Sequence, residues 1–355
     1  MKVRFKGENV EVSSLEAVEL VDRWIREVGK GSDRALKIGT HGDGDSGDSG
    51  IVPTYFSFNV TKWKSTGEEN KDHHDLVMPI SMTVQRFPIY LEGPTRMLKT
   101  IHNKEEALKV HKRVKESPLR DEGLGMYSIS ASLKGSSFDM GRVMAFTPGW
   151  LDNERVWTHM SYKCYLELLR HGLCDQFFEE MKTGMLPYMD SDVYGRSVME
   201  CSSFIASSAF EDPSQRGRGF LARLSGSTAE FLSMWVLMMI GPQPFVLDKH
   251  TNKLAGMQLI PALPAHLFHC NSGASIGKEK KNKSGDMTIS FKLFTAINVT
   301  CHNSDGRDLF GVPPKRHEVE LRDGSKSMVE NTMMPADLAE KMRRVAFVDC
   351  VDACF

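Results

Sequence analysis

The sequence predicts a mainly α chain with a C-terminal β part, and three observations carry that expectation. Residues 223–241 form a hydroxyl-rich bend (Ser225, Gly226, Ser227, Thr228) that opens into a stretch apolar on nearly every side. Residues 156–170 place Trp157, Met160, Cys164 and Leu168 on one stripe, with Leu166 and Leu169 on another. After Pro261 the apolar period changes from that of a helix to that of a strand.

In chain order, Ser13 and Glu16 make a capping box. Leu15, Val18, Val21, Trp24, Ile25 and Val28 follow at helical spacing, and the helix is expected to end near Gly29. Residues 40–50 read as an acidic loop. It lacks the Glu that closes a calcium loop and its Asp spacing is wrong, so no metal is expected there. Residues 52–64 read as extended, and 104–116 as a Lys/Glu-rich surface helix bounded by Pro118. In the later apolar segment Ser227 and Glu230 have capping-box spacing, so a helix should begin at or beside Ser227. Phe231, Leu232, Met234, Trp235, Leu237 and Met238 spread around it, the pattern of a helix buried within a larger body. Buried helices flanked by amphipathic ones suit an array of helical hairpins around a centre.

Pro261-Ala262-Leu263-Pro264 breaks this texture, and residues 277–285 read as a Lys/Gly/Asn-rich loop. Ile289, Phe291 and Leu293 then alternate with Ser290 and Lys292, and 297–301 continue the habit. Asp323-Gly324 between two short extended runs signals a hairpin. The division expected is therefore 1–260 and 261–355.

Composition limits the function classes. The chain has 355 residues, ample for a real core, and a formal net charge of −1. Nothing in that balance favours nucleic acid or an acidic membrane surface. Seven cysteines without a CxxC pair suggest reduced thiols and a cytoplasmic protein. The longest apolar run is about half of what a membrane span needs.

Four stretches carry candidate chemistry. The bend at 225–228 presents a helix N-terminus and hydroxyls to the interior, where an anion such as phosphate would satisfy them; the other reading is an ordinary capped core helix. Pro148-Gly149-Trp150-Leu151-Asp152-Asn153-Glu154 leads to His159, either a donor to an anion or sugar or a satisfied core histidine. Glu200 lies in a polar, turn-like run, as a site residue or as a loop carboxylate paired with Arg196. Arg216 and Arg218, with Arg223 nearby, are suited to phosphate contact.

Taken in order, these stretches resemble glycoside hydrolase family 94, the inverting β-glucoside phosphorylases. In that family a Pro-Gly-x-x-Glu-Asn turn leads to a His, and Pro148 leads to His159 with the same count. Glu200 occupies the place of a Glu-Pro-Tyr-type segment. Leu224-Ser225-Gly226-Ser227-Thr228 matches Leu-Thr-Gly-Thr-Ala, and Ile260-Pro261-Ala262-Leu263-Pro264 matches the stretch that closes the barrel. Leu91-Glu92-Gly93-Pro94 is similar to the long-branch members. The resemblance implies an incomplete (α/α)6 barrel followed by a small β domain. It implies phosphate held by His159, Ser225, Gly226, Ser227 and Thr228, and a β-linked gluco-oligosaccharide near Glu200 and Asp152. Arg218 is added on charge alone. Phosphate is a co-substrate, and no cofactor is expected. The family's general acid lies in an Asp-Trp-Asn-Asp motif, and this sequence has no Asp-Trp pair. The expectation is thus a phosphorylase-like fragment without its acid, or alternatively a non-catalytic carbohydrate- or phosphate-binding remnant. An incomplete barrel would expose apolar edges, so self-association is expected.

Overall fold

The computed structural model describes residues 12–40, 51–197, 200–222, 225–270, 287–344 and 347–355. The chain divides into two compact units, 1–89 and 90–355.

In the first unit α1 spans Ser14–Thr40. Its start is the expected capping box: the Ser13 amide donates to the Glu16 carboxylate at 2.9 Å, and the Glu16 amide to Ser13 Oγ at 3.3 Å. The helix does not stop near Gly29. Neither Gly29 nor Gly31 adopts the left-handed φ that would end it, and Arg34, Ala35, Leu36 and Lys37 are good helix formers. β1 (Phe56–Glu69) and β2 (Asp75–Arg86) then form an antiparallel hairpin with register shifts between Val60 and Trp63. The acidic loop falls outside the described residues beyond Thr40, as does the loop at 277–285.

The second unit begins with α2 (Glu92–Leu98) and α3 (Lys104–Lys115), the latter capped by Asn103, which accepts from the Glu106 amide at 3.0 Å. Next come β3 (Arg120–Asp121), β4 (Met126–Tyr127), β5 (Val156–Trp157), α4 (Thr158–Arg170), α5 (Cys174–Gly184), α6 (Ser191–Tyr194), β6 (Ser202–Ile205) and β7 (Gly219–Ala222). After α7 (Ser225–Met239) the order is β8 (Phe245–Leu247), β9 (Leu254–Gln258), β10 (Ala262–Leu263), β11 (His269–Cys270), β12 (Met287–Leu293) and β13 (Ile297–His302). It ends with β14 (Leu309–Phe310), β15 (Arg316–Leu321), β16 (Lys326–Val329), β17 (Met333–Pro335), α8 (Ala336–Arg343) and β18 (Val348–Cys354).

Within this unit the core is built on α4, where Tyr162, Tyr165 and Leu168 are fully enclosed, with Phe177 and Met181 of α5 beside them. The largest sheet has the order β11-β12-β13-β18-β15-β16, with β13 and β18 parallel and the other neighbours antiparallel. Contacts cross Pro261, because β17 pairs with β9 in the sheet β17-β9-β8 and α8 packs on β9.

This architecture corrects the expected mainly α fold: an incomplete (α/α)6 barrel followed by a small β domain is not what forms. A barrel of paired helices needs helical connections where this chain has turns. Pro118, Pro148-Gly149, Gly195, Gly217 and Gly219 punctuate the middle, and the segments between them close into the short ladders β3-β4 and β5-β6-β7. α7 is also not enclosed. Met234 and Met238 are buried, but Leu232 is 58 % exposed and Val236 39 %. Its all-round apolar sequence therefore records a helix covered on one side only.

Candidate functional site

The three-stranded sheet β5-β6-β7 assembles the stretches singled out in the sequence. Trp157 pairs with Phe204, and Phe204 with Phe220, both antiparallel. Two antiparallel steps make β5 and β7 parallel to each other, so the helices that follow them start at the same end of the sheet. α4 begins directly after β5, with Thr158 Oγ1 donating to the Ser202 carbonyl at 2.7 Å, and α7 begins shortly after β7. The two helices pack side by side. Two positive dipole ends thus converge.

His159 and the bend meet at that point. A Cβ placed on Gly226 would lie 3.3 Å from the Cβ of His159, so the bend and the histidine are in close contact and a side chain there would crowd the ring's base. The imidazole is half-buried and packs edge-on against Trp157 at 5.1 Å between centroids. Burial pushes its pKa down, Lys163 adds to that, and Glu92 opposes it. The ring is therefore neutral near pH 7, with one N–H to donate. Ser227 is buried, with its Oγ 2.7 Å from Cys201 Sγ. Thr228 is exposed, and Ser225 contributes its backbone to the first turn of α7.

The other expected residues are not gathered here. Glu200 is half exposed and ion-paired with Arg196 at 3.2 Å, the structural alternative for this carboxylate. The guanidinium of Arg218 lies over Gly195, where an added Cβ would meet its Nε at 2.8 Å. Arg216 donates from Nε to the Phe210 carbonyl at 2.9 Å, and Arg223 lies outside the described residues. The Asp152 carboxyl is partly buried, which pushes its pKa up against the pull of Arg142 and Arg155.

Three residues escaped the sequence reading. Lys163 sits one turn beyond His159 on α4, an i,i+4 spacing that the sequence does display. Cys201 meets the bend only because β6 lies beside β7. Arg155 is 1 % exposed, with its guanidinium 4.3 Å from the Trp150 ring and 4.1 Å from that of Phe204. Burial pushes its pKa down to about 9, opposed by Asp152. It anchors the loop in which Gly149 takes φ 76° against the Phe210 backbone and Leu151 and Glu154 also take left-handed φ. That loop delivers β5, and through β5 it sets His159.

No protein-family model matches the chain, and no curated protein matches its sequence. Among the described residues no three His, Cys, Asp or Glu side chains are grouped to hold a metal ion. No helix among them is long and apolar enough to cross a membrane.

Proposed function

We propose that this chain binds an oxyanion, in the first instance inorganic phosphate, where the N-termini of α4 and α7 converge. The observation that carries this reading is the close approach of His159 to Gly226. Backbone N–H groups of two first turns, the neutral imidazole and the nearby Lys163 supply donors and positive potential suited to a phosphate. Ser225, Ser227 and Thr228 belong to the same turn, and the Ser227 hydroxyl can exchange its Cys201 contact for the anion.

The larger reading is the phosphate half of a β-glucoside phosphorylase-type site in a cytoplasmic protein, acting on β-linked gluco-oligosaccharides. In inverting phosphorolysis a phosphate oxygen attacks the anomeric carbon as the glycosidic C–O bond breaks, and the departing oxygen takes a proton from a carboxylic acid. His159 and the bend would hold and aim the phosphate. No residue is assigned as the acid, since the chain has no Asp-Trp pair. Asp152 and Glu200 would lie on the sugar side. A second reading, binding without turnover, is favoured by Glu200, whose carboxylate Arg196 already neutralises. Free thiols at Cys164, Cys174, Cys201, Cys301, Cys350 and Cys354 accord with a reducing compartment.

Titration calorimetry with phosphate tests the site. His159→Ala with Ser227→Ala is expected to weaken binding by about tenfold or more, on the order of 1.4 kcal/mol. Unchanged affinity in the double variant contradicts it. Release of glucose 1-phosphate from short β-glucans separates the phosphorylase reading from simple binding.

A further inference from the structure

The first unit carries two bare apolar faces of complementary form. On α1, Val18, Val21, Ile25 and Val28 form a stripe flanked by Leu15 and Trp24, and all six are between 47 and 70 % exposed. On the hairpin, Phe58 pairs with Val84 and Val60 with Met82, so these four side chains share one face, and all are at least 40 % exposed. The opposite face there is polar, with Ser57 beside Gln85 and Asn59 beside Thr83. Past the register shifts the apolar run continues with Trp63 and Ile80, 62 and 61 % exposed. A two-stranded ribbon with a bare apolar face is at best marginally stable in water. Helix on ribbon is a standard way to bury such a pair of faces.

We infer that the α1 stripe of one copy docks on the apolar hairpin face of a second copy, and reciprocally, giving a two-fold dimer. Lengths match: thirteen helical steps from Leu15 to Val28 cover about 20 Å. Eight strand steps from Leu76 to Val84 cover about 27 Å. Charge sets the direction. The hairpin turn holds Glu68, Glu69, Asp72 and Asp75 against Lys71, while α1 past its stripe holds Lys30, Arg34 and Lys37 against Asp33. The basic end of the helix therefore belongs at the acidic tip of the ribbon.

Within one chain both faces stay bare, so the chain's own helix does not cover its hairpin, and the helix of a second copy is the occupant. With its C-terminal end at the tip, α1 finishes more than about 40 Å from the start of β1 at the ribbon base. To reach the tip in that direction the chain's own helix would have to bridge that distance; a helix from a partner copy has no such constraint.

Sedimentation velocity on the full chain tests this. A dimer is expected at micromolar concentration, weakened by salt. Val18→Glu with Ile25→Glu, both at exposed positions, should weaken it by about tenfold or more while helix content by circular dichroism is kept. Glu68→Lys with Glu69→Lys should weaken it too, and adding Lys30→Glu with Arg34→Glu should restore it. A monomer at ~100 µM overturns the inference, as does a dimer indifferent to the α1 substitutions, which would mean ribbon pairing with ribbon or another occupant.

Discussion

At the scale of the residue, His317 shows what burying an imidazole does to acid stability. It is fully enclosed on β15, with Nδ1 3.1 Å from the Asn331 carbonyl and Nε2 without a partner among the described residues. Burial pushes its pKa down to about 4, against the pull of the Asn331 contact. The unfolded chain takes up a proton near pH 6.5 that the folded chain refuses, so stability is full above that pH and falls as pH drops towards 4. The gap corresponds to ~3 kcal/mol. Urea midpoints measured from pH 7 to pH 4.5 should fall in the parent and fall less in His317→Asn. Equal slopes in the two proteins would contradict this account. His159 is shifted in the same direction. The helix start at His159 and the Ser-Gly-Ser turn were each legible as local signals, while their meeting was expected only from the family resemblance. Arg155 was not legible, because Phe204 and Phe220, which clamp it with Trp150, are distant in sequence and only the β5-β6-β7 ladder joins them.

At the scale of the element, α5 is fastened to α3, β3 and β4 through one buried carboxylate. Glu180 is enclosed and meets His111 at 3.2 Å, Tyr127 Oη at 2.8 Å and Arg120 in an ion pair. Burial would push its pKa up, but those three partners overcome that and hold it below the usual range. Glu180→Gln is expected to cost about 3–5 kcal/mol in chemical unfolding, because Arg120 is left half-buried without its counterion. A loss under about 1 kcal/mol would show that the network is dispensable. Elements with strong local signals were readable: α3 ahead of Pro118, α4 with its double stripe, and β15 and β16 around Asp323-Gly324. The single-sided cover of α7 was not, since an all-round apolar sequence fits a helix in a core and a helix with one face bare. The length of α1 was misjudged for a related reason, as Gly29 permits a stop without imposing one.

At the scale of the whole molecule, the second unit joins a helical layer to a six-stranded mixed sheet and to small ladders built from turn-rich segments. Helical periodicity in isolated stretches suggested an array of hairpins and the family resemblance implied a barrel, yet the pairing of β5, β6 and β7 is a long-range outcome that no local pattern announces. That pairing nevertheless gives the molecule its distinctive feature, two helix starts at one end of one sheet. The most direct measurement is the NMR titration of the His159 imidazole with and without phosphate. The account predicts a pKa below the ordinary histidine value in the free protein, raised on adding phosphate because the anion stabilises the imidazolium. A His159 titration curve indifferent to saturating phosphate would contradict it.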